Sequence, residues 1–266
     1  MTAREAVMFA AGELKEVSDD ALFEGKNMVA ALLRLPLNKL ALNMDAGFDE
    51  HLKAQLEGML DRRKLGEPLQ YIIGEWEFMG LPIITRPDAL IPRQDTETLV
   101  EYALNNKGNY STALDMCCGT GCIGISLAKL GGFDVTFGDI SEKCLALAKE
   151  NAELNGVKGT FLHTDLFENV EGEFDLICIN PPYIPTSDLA SLQREVKQEP
   201  VLALDGGEDG LDFYRRIAEE YSKYLNPNGM LLMEVGIGQA ADVCALFKNA
   251  FAVKDLCGIE RVVVVK

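Results

Sequence analysis

The chain has 266 residues, with 25 Lys and Arg against 42 Asp and Glu, a formal net charge of −17. At 48% hydrophobic and 25% charged residues, it is an ordinary globular composition, long enough to build one large domain or two modest ones around a buried core. The acidic balance argues against a function that neutralises many phosphates or docks on an anionic membrane, and leaves room only for a small basic patch.

The opening residues, MTAREAVMFAAGELKEV, carry no basic stretch followed by an apolar segment and a cleavage site, and no window approaches the ~20 apolar residues of a membrane span. Seven cysteines with no CxxC spacing, and two histidines as far apart as His51 and His163, predict no metal site and reduced thiols in a cytoplasmic protein. Up to about residue 66, apolar residues recur at helical spacing: Leu22, Phe23, Val29, Leu32 and Leu33, then Leu52, Leu56, Met59 and Leu60. That pattern predicts four or five short helices and no strand. Ser18, ahead of Asp19 and Asp20, is the expected N-cap of one of them. Residues 1–68 hold 9 basic and 12 acidic side chains, the remainder 16 and 30, so the acidity is concentrated in the second part.

Between Leu69 and Thr85 two β-rich runs, QYIIGEWEF and LPIIT, flank Met79-Gly80 and predict a β-hairpin, the core of a linker over residues 67–88. From Tyr110 strands and helices alternate. TALDM, DVTFGDI, FDLICIN and GMLLMEVG read as strands, and AVKDLCGIERVVVVK as a closing strand pair. CIGISLAKLG, CLALAKENAELNG, DFYRRIAEEYSKYL and QAADVCALFKNA read as helices. The alternation implies βαβ units and a mostly parallel sheet, an α/β fold over residues 89–266.

The first of these strands ends at Asp115 and runs into CCGTGCIG, where Gly119, Gly121 and Gly124 match GxGxxG. Glycines there let the backbone approach a ligand, and the free N–H groups of a helix start favour an anionic group. Dinucleotide enzymes share the pattern, and a tight turn alone would also satisfy it. Asp139 ends the second strand in FGDIS, 24 positions after Asp115, where a carboxylate can accept both hydroxyls of a cofactor ribose. Asp165, in HTDLF at the end of a third strand, is placed either to meet an adenine amine or to cap a turn.

FDLICIN delivers Asn180-Pro181-Pro182-Tyr183 at its carboxyl end, the edge where doubly wound sheets bind ligands. Two prolines stiffen the loop and stop the strand. The Asn side-chain oxygen and a main-chain carbonyl then form a fixed pair of acceptors for a planar NH2 group, and Tyr183 offers it a flat wall.

With these residues in place the chain resembles the class-one S-adenosylmethionine-dependent methyltransferases that act on planar NH2 nitrogens. Within them it most closely resembles the HemK/PrmC family, the peptide-chain release factor glutamine N5-methyltransferases. The resemblance spans nearly the whole chain: EPLQYIIGEWEF, LIPRQDTETLV, LDMCCGTGCIGISLA, GDIS, TDLF, INPPYI, EPVLALDGGEDGLDFYRRI and MEVGIGQ follow in family order. It implies a Rossmann-like sheet of seven mostly parallel strands over residues 89–266, preceded by a small all-helical domain at 1–66 that docks the release factor. It further implies S-adenosyl-L-methionine as cofactor, held by Cys117, Cys118, Gly119, Thr120 and Gly121 of the loop. Asp139, Asp165, Leu166 and Asn180 complete that set. Asn180, Pro181 and Tyr183 are the implied catalytic residues, and with Pro182 they bind the substrate glutamine of a GGQ loop. Two positions depart from the family pattern: Cys117 stands where many members have glycine, and Leu166 where some carry an aromatic side chain. Arg93 and Glu97 fit either ligand contact or a structural ion pair.

An amide nitrogen is a poor nucleophile, so the chemistry implied is alignment and electrostatics rather than strong base catalysis. The implied partner is a release factor, with no direct nucleic-acid contact, no membrane, and a monomeric enzyme. A ribosomal-protein glutamine methyltransferase is the nearer alternative. An adenine-N6 methyltransferase also uses such a tetrad, but the −17 charge and the lack of a long insertion count against it.

Overall fold

Thr2 and Glu5 close a reciprocal capping box at the first helix: Glu5 N–H donates to Thr2 Oγ1 (3.2 Å) and Thr2 N–H to Glu5 Oε2 (2.8 Å). The computed structural model describes residues 1–266 and divides them into two units, residues 1–74 with 194–198, and residues 75–193 with 199–266. The first unit is helical: α1 (Ala3–Leu14), α2 (Ala21–Leu32), α3 (Leu37–Leu40), α4 (Glu50–Lys64) and α5 (Leu69–Ile73). The expected N-cap at Ser18 is corrected by two residues. Asp20 caps α2 by accepting the Phe23 N–H at 3.1 Å, while Ser18 Oγ donates to Glu24 Oε1 at 2.8 Å. Glu24 in turn pairs with the buried Arg63 at 2.7 Å, and Glu195 meets the same guanidinium at 2.7 Å.

The run QYIIGEWEF splits rather than forming one strand. Pro68 (φ −57°) starts α5, and Gly74 (φ +85°) ends it, donating its N–H to Gln70 O at 2.8 Å. The second unit begins at the strand that follows. Its elements are β1 (Glu75–Phe78), β2 (Leu81–Ile84), α6 (Gln94–Asn105), β3 (Thr112–Met116), α7 (Cys122–Gly131), β4 (Asp134–Asp139), α8 (Glu142–Leu154), β5 (Gly159–His163), β6 (Phe174–Ile179), α9 (Asp212–Glu220), β7 (Leu225–Glu234), α10 (Ala240–Ala245), β8 (Ala250–Lys254) and β9 (Glu260–Val265). β1 and β2 form an antiparallel hairpin turned at Met79 and Gly80, both at positive φ (52° and 73°), the signature of a tight hairpin turn.

The main sheet has seven strands in the order β5-β4-β3-β6-β7-β9-β8. All pairings are parallel except those made by β9. Strand alternation splits the core in two. Ala113, Leu176, Cys178 and Leu232 pack with α6, α7 and α8. Leu114, Met116, Ile177 and Met233 pack with Tyr214 and Ile217 of α9 and Val243 of α10. Both faces of the sheet are therefore covered, as a parallel sheet requires. The chain leaves β3 in one direction and returns to its other side at β6, so a crevice opens at the carboxyl ends of those two strands. No helix is long and apolar enough to cross a membrane.

Candidate active site

The crevice holds a cavity of about 360 Å³, in the range of small-molecule sites. In β3, just before the lining residues Met116 and Cys117, Asp115 is fully buried and accepts the Gly124 N–H at 2.8 Å through one oxygen. That bond ties β3 to α7 across the glycine loop between them. Gly124 has no room for more than hydrogen, since an added Cβ would lie 2.4 Å from the Phe137 ring. Burial, and then the nearby Asp139, raise the Asp115 carboxyl well above its ordinary value, although the Gly124 N–H works against them.

Above it the loop turns at Cys117 (φ +58°), Gly119 (φ +53°) and Gly121 (φ +79°). Gly119 donates its N–H to Asp139 Oδ2 at 2.9 Å, and Ser141 N–H reaches Oδ1 at 2.9 Å. Asp139 is thus oriented at the end of β4 with lone pairs left over for a ligand. Burial raises its pKa, against the backbone hydrogen bonds of Gly119, Ser141 and Ile140 that favour the carboxylate. A Cβ on Gly119 would meet nothing within 4 Å, so the loop leaves open space there. Asp165 forms an ion pair with Arg216 of α9 at 2.8 Å, and Leu166 follows it in left-handed backbone (φ +49°).

Across the crevice, β6 delivers Asn180. Its Nδ2 donates to Thr96 Oγ1 of α6 at 3.5 Å, while its Oδ1 is buried with no hydrogen-bond partner. A buried acceptor left unpaired is costly unless a ligand completes it. Tyr183 closes the tetrad, and its hydroxyl donates to Glu234 Oε1 at 3.3 Å. The 204–210 segment braces the loop: Ile184 N–H donates to Leu204 O at 2.9 Å and Gly206 N–H to Ile184 O at 2.8 Å.

Nine of the sequence-expected residues line the one cavity: Cys117, Cys118, Gly119, Thr120, Asp139, Asp165, Leu166, Asn180 and Pro182. Gly121, Pro181 and Tyr183 do not line it. Gly121 caps α7, Pro181 is buried, and Tyr183 turns its hydroxyl inward to Glu234. The expected flat wall at Tyr183 is thus outside the lining of this cavity, with its hydroxyl bonded to a buried carboxylate. Arg93 lines the cavity and pairs with the buried Glu199, which also accepts the Ile91 N–H at 3.0 Å. Glu97 instead accepts the Met79 N–H of the hairpin turn at 2.6 Å, a structural role. Thr96, Phe213 and Arg216 also line the cavity and were not among the expected residues. They lie on helices whose register against the sheet sets their position, and no local motif marks them. No group of three His, Cys, Asp or Glu side chains is arranged to hold a metal.

Two family models match the chain, the PrmC N-terminal domain over residues 5–74 and the methyltransferase small domain over residues 94–207. The chain is 43% identical to the release factor glutamine methyltransferase of Geobacter sulfurreducens, over 98% of this chain and 95% of that one. Among solved structures, the hMettl16 catalytic domain in complex with an RNA hairpin superposes with a TM-score of 0.57 at 15% identity, covering 82% of each chain. The 16S rRNA N2 G1207 methyltransferase of T. thermophilus, solved with AdoMet and guanosine, gives a TM-score of 0.54 at 16% identity over 72% of this chain and 49% of that one. At such identities the two structures speak for the fold alone.

Proposed function

The chain belongs to the release factor glutamine methyltransferase family, and from that membership we propose that it transfers a methyl group from S-adenosylmethionine to the side-chain amide nitrogen of the glutamine in the GGQ loop of a peptide-chain release factor. The observation that carries this reading is Asn180 Oδ1, an acceptor buried at the sheet's switch point and left without a partner. The cavity residues fit the cofactor: Asp139 suits two ribose hydroxyls, and the open face of Gly119 admits a ligand against bare backbone. When bound, S-adenosylmethionine supplies an already activated methyl group. Asn180 Oδ1 and the Pro181 carbonyl accept the two hydrogens of the substrate amide. That pairing holds the nitrogen toward the methyl donor and stabilises positive charge as it develops there. The proton leaves after transfer, when the nitrogen has become strongly acidic, so no base of high pKa is needed. Leu202, which lines the cavity and is 58% exposed, gives the incoming loop an apolar edge. Residues 1–66 serve as the docking domain for the release factor, with 67–88 as the linker and 89–266 as the catalytic part. The enzyme works as a cytoplasmic monomer.

Labelled S-adenosylmethionine with purified release factors tests the reading, with a GGQ→GGA factor as control. Label should enter the natural factor and not the variant. Asn180→Ala should lower turnover by ~100-fold or more while cofactor affinity changes far less. Label on nucleic acid, label persisting in the GGA factor, or unchanged turnover of Asn180→Ala would each defeat it.

A further inference from the structure

We propose that Asn151 is a positioning residue for the cofactor: its buried side-chain amide ties the glycine loop to the end of the hairpin and so fixes two of the stretches that line the cavity. The role rests on the S-adenosylmethionine reading above. Asn151 lies on the buried stripe of α8 with Leu147, Ala148 and Ala152, and is itself fully buried. A polar side chain on such a face has to find partners or cost stability. This one finds three, all of them main-chain groups. Its Oδ1 accepts the Ile84 N–H at 2.7 Å, and its Nδ2 donates to Ile84 O at 3.1 Å and to Thr120 O at 3.0 Å.

The three partners select an amide. They need one acceptor and two donors on one short side chain, whereas a carboxylate cannot donate and an aliphatic group leaves all three unpaired. What the bonds fix follows from where the partners sit. Ile84 ends β2, and the chain just beyond it brings Pro87, Asp88 and Leu90 to the cavity, which Cys118, Gly119 and Thr120 line from the glycine loop. Strand β4 already holds the first part of that loop: Cys118 N–H donates to Gly138 O at 3.0 Å, and Gly119 N–H to Asp139 Oδ2 at 2.9 Å. Asn151 adds the next anchor, at the Thr120 carbonyl. Helix α8 comes close enough to do so because Gly121 leaves room, since an added Cβ there would lie 3.0 Å from Ala148 Cβ.

Asn155, just past the end of α8, separates the two halves of this role. Pro82 and Ile84 are two apart in β2, so their carbonyls share one edge of the strand. Asn155 Nδ2 donates to Pro82 O at 2.8 Å and to Asn151 O at 2.9 Å, and neither bond goes to the glycine loop. The two asparagines hold the same hairpin edge, and Asn151 holds the loop as well.

The test uses the full-length enzyme and three variants, Asn151→Ala, Asn151→Ser and Asn155→Ala, followed by urea unfolding, calorimetric titration with S-adenosylmethionine, and amide hydrogen exchange without ligand. Both alanine variants should lower the urea midpoint. Asn151→Ala should weaken cofactor binding by ~10-fold, the equivalent of one lost hydrogen bond, with Asn155→Ala within about twofold of wild type. In the ligand-free protein the Gly119 N–H should exchange faster in Asn151→Ala and at the wild-type rate in Asn155→Ala. The serine side chain is too short to span to Thr120 O, so Asn151→Ser should show the same weakening where the alanine variant does not fold. Unchanged cofactor affinity beside a lowered urea midpoint in the Asn151 variants would make the amide structural alone and overturn the proposal. Equal weakening by Asn155→Ala would overturn it too, by placing the effect in the hairpin. A wild-type enzyme that binds no S-adenosylmethionine would instead defeat the cofactor reading, and Gly119 exchange would still decide whether Asn151 holds the loop.

Discussion

Cys117 occupies left-handed backbone (φ +58°) at a position where a side chain beyond glycine is strained. Its thiol contributes no nucleophile, since burial and the surrounding carboxylates of Asp139, Asp115 and Asp165 push its pKa well up. Cys117→Gly should therefore relieve strain and raise stability by about 1 kcal/mol, read as a shift of the urea midpoint. A fall in that midpoint would mean that packing of the thiol against Leu114 and Met116 and their neighbours outweighs the backbone term. Glu234, which accepts the Tyr183 hydroxyl, also weighs against the fold at neutral pH. Its pKa is about 6 in the folded protein against an ordinary 4.5, so its contribution to stability is fully present below 4.5 and lost as pH rises through 6. Glu234→Gln should then be the more stable protein at pH 7.5, by about 2 kcal/mol, with the difference closing by pH 4. Asn180 and Asp139 were legible in the sequence because each sits at a strand end beside a motif of fixed spacing. Thr96 and Glu234 were not. A threonine inside a helix and a glutamate inside an apolar strand carry no mark of their own, and only the pairing of β7 with β6 brings Glu234 behind Asn180.

Among elements, most strands and helices of the sheet were read, because buried apolar runs alternate with helical ones. CIGISLAKLG, for instance, coincides with α7, Cys122–Gly131. But α6 (Gln94–Asn105) was not read, and the helices read over DFYRRIAEEYSKYL and QAADVCALFKNA stop at Glu220 and Ala245. The failure at QYIIGEWEF has a local cause: tyrosine and two isoleucines favour a strand by propensity, yet Pro68 and Gly74 bracket them into one helical turn. The loop after the tetrad matters in a way propensity could not express. Gly210 stands at φ +77°, and an added Cβ would lie 2.4 Å from the Tyr183 carbonyl and 2.6 Å from Gln239 Nε2. That carbonyl already accepts from Gln239 Nε2 at 2.9 Å. Gly210→Ala therefore has to displace either the loop or the backbone at Tyr183. It should cost about 2 kcal/mol or more of stability and lower kcat further than it weakens binding of the cofactor, which the proposed function assigns to the other strand ends. Equal losses in kcat and cofactor affinity, separated by turnover and calorimetric titration, would place the damage in the whole cleft instead.

The charge of the whole chain sets two salt effects of opposite sign. Its 42 acidic against 25 basic residues repel one another in the compact state, so added salt should raise the melting temperature of the free enzyme. The part of the sequence beyond residue 68 carries most of that excess, 30 acidic against 16 basic, and it is the part that holds the cavity. A release factor works against ribosomal RNA and needs basic surface to do so. Opposite charges on the two proteins speed their encounter, and the gain is screened beyond a Debye length of about 10 Å at 0.1 M salt. Raising salt from about 0.05 to 0.5 M should therefore slow association by ~10-fold or more, chiefly in kon, even as it stabilises the enzyme. Stopped-flow association and a thermal melt on the same salt series separate these effects. An association rate independent of salt, alongside a rising melting temperature, would show that the acidity serves solubility alone and that apolar contacts at the rim carry recognition.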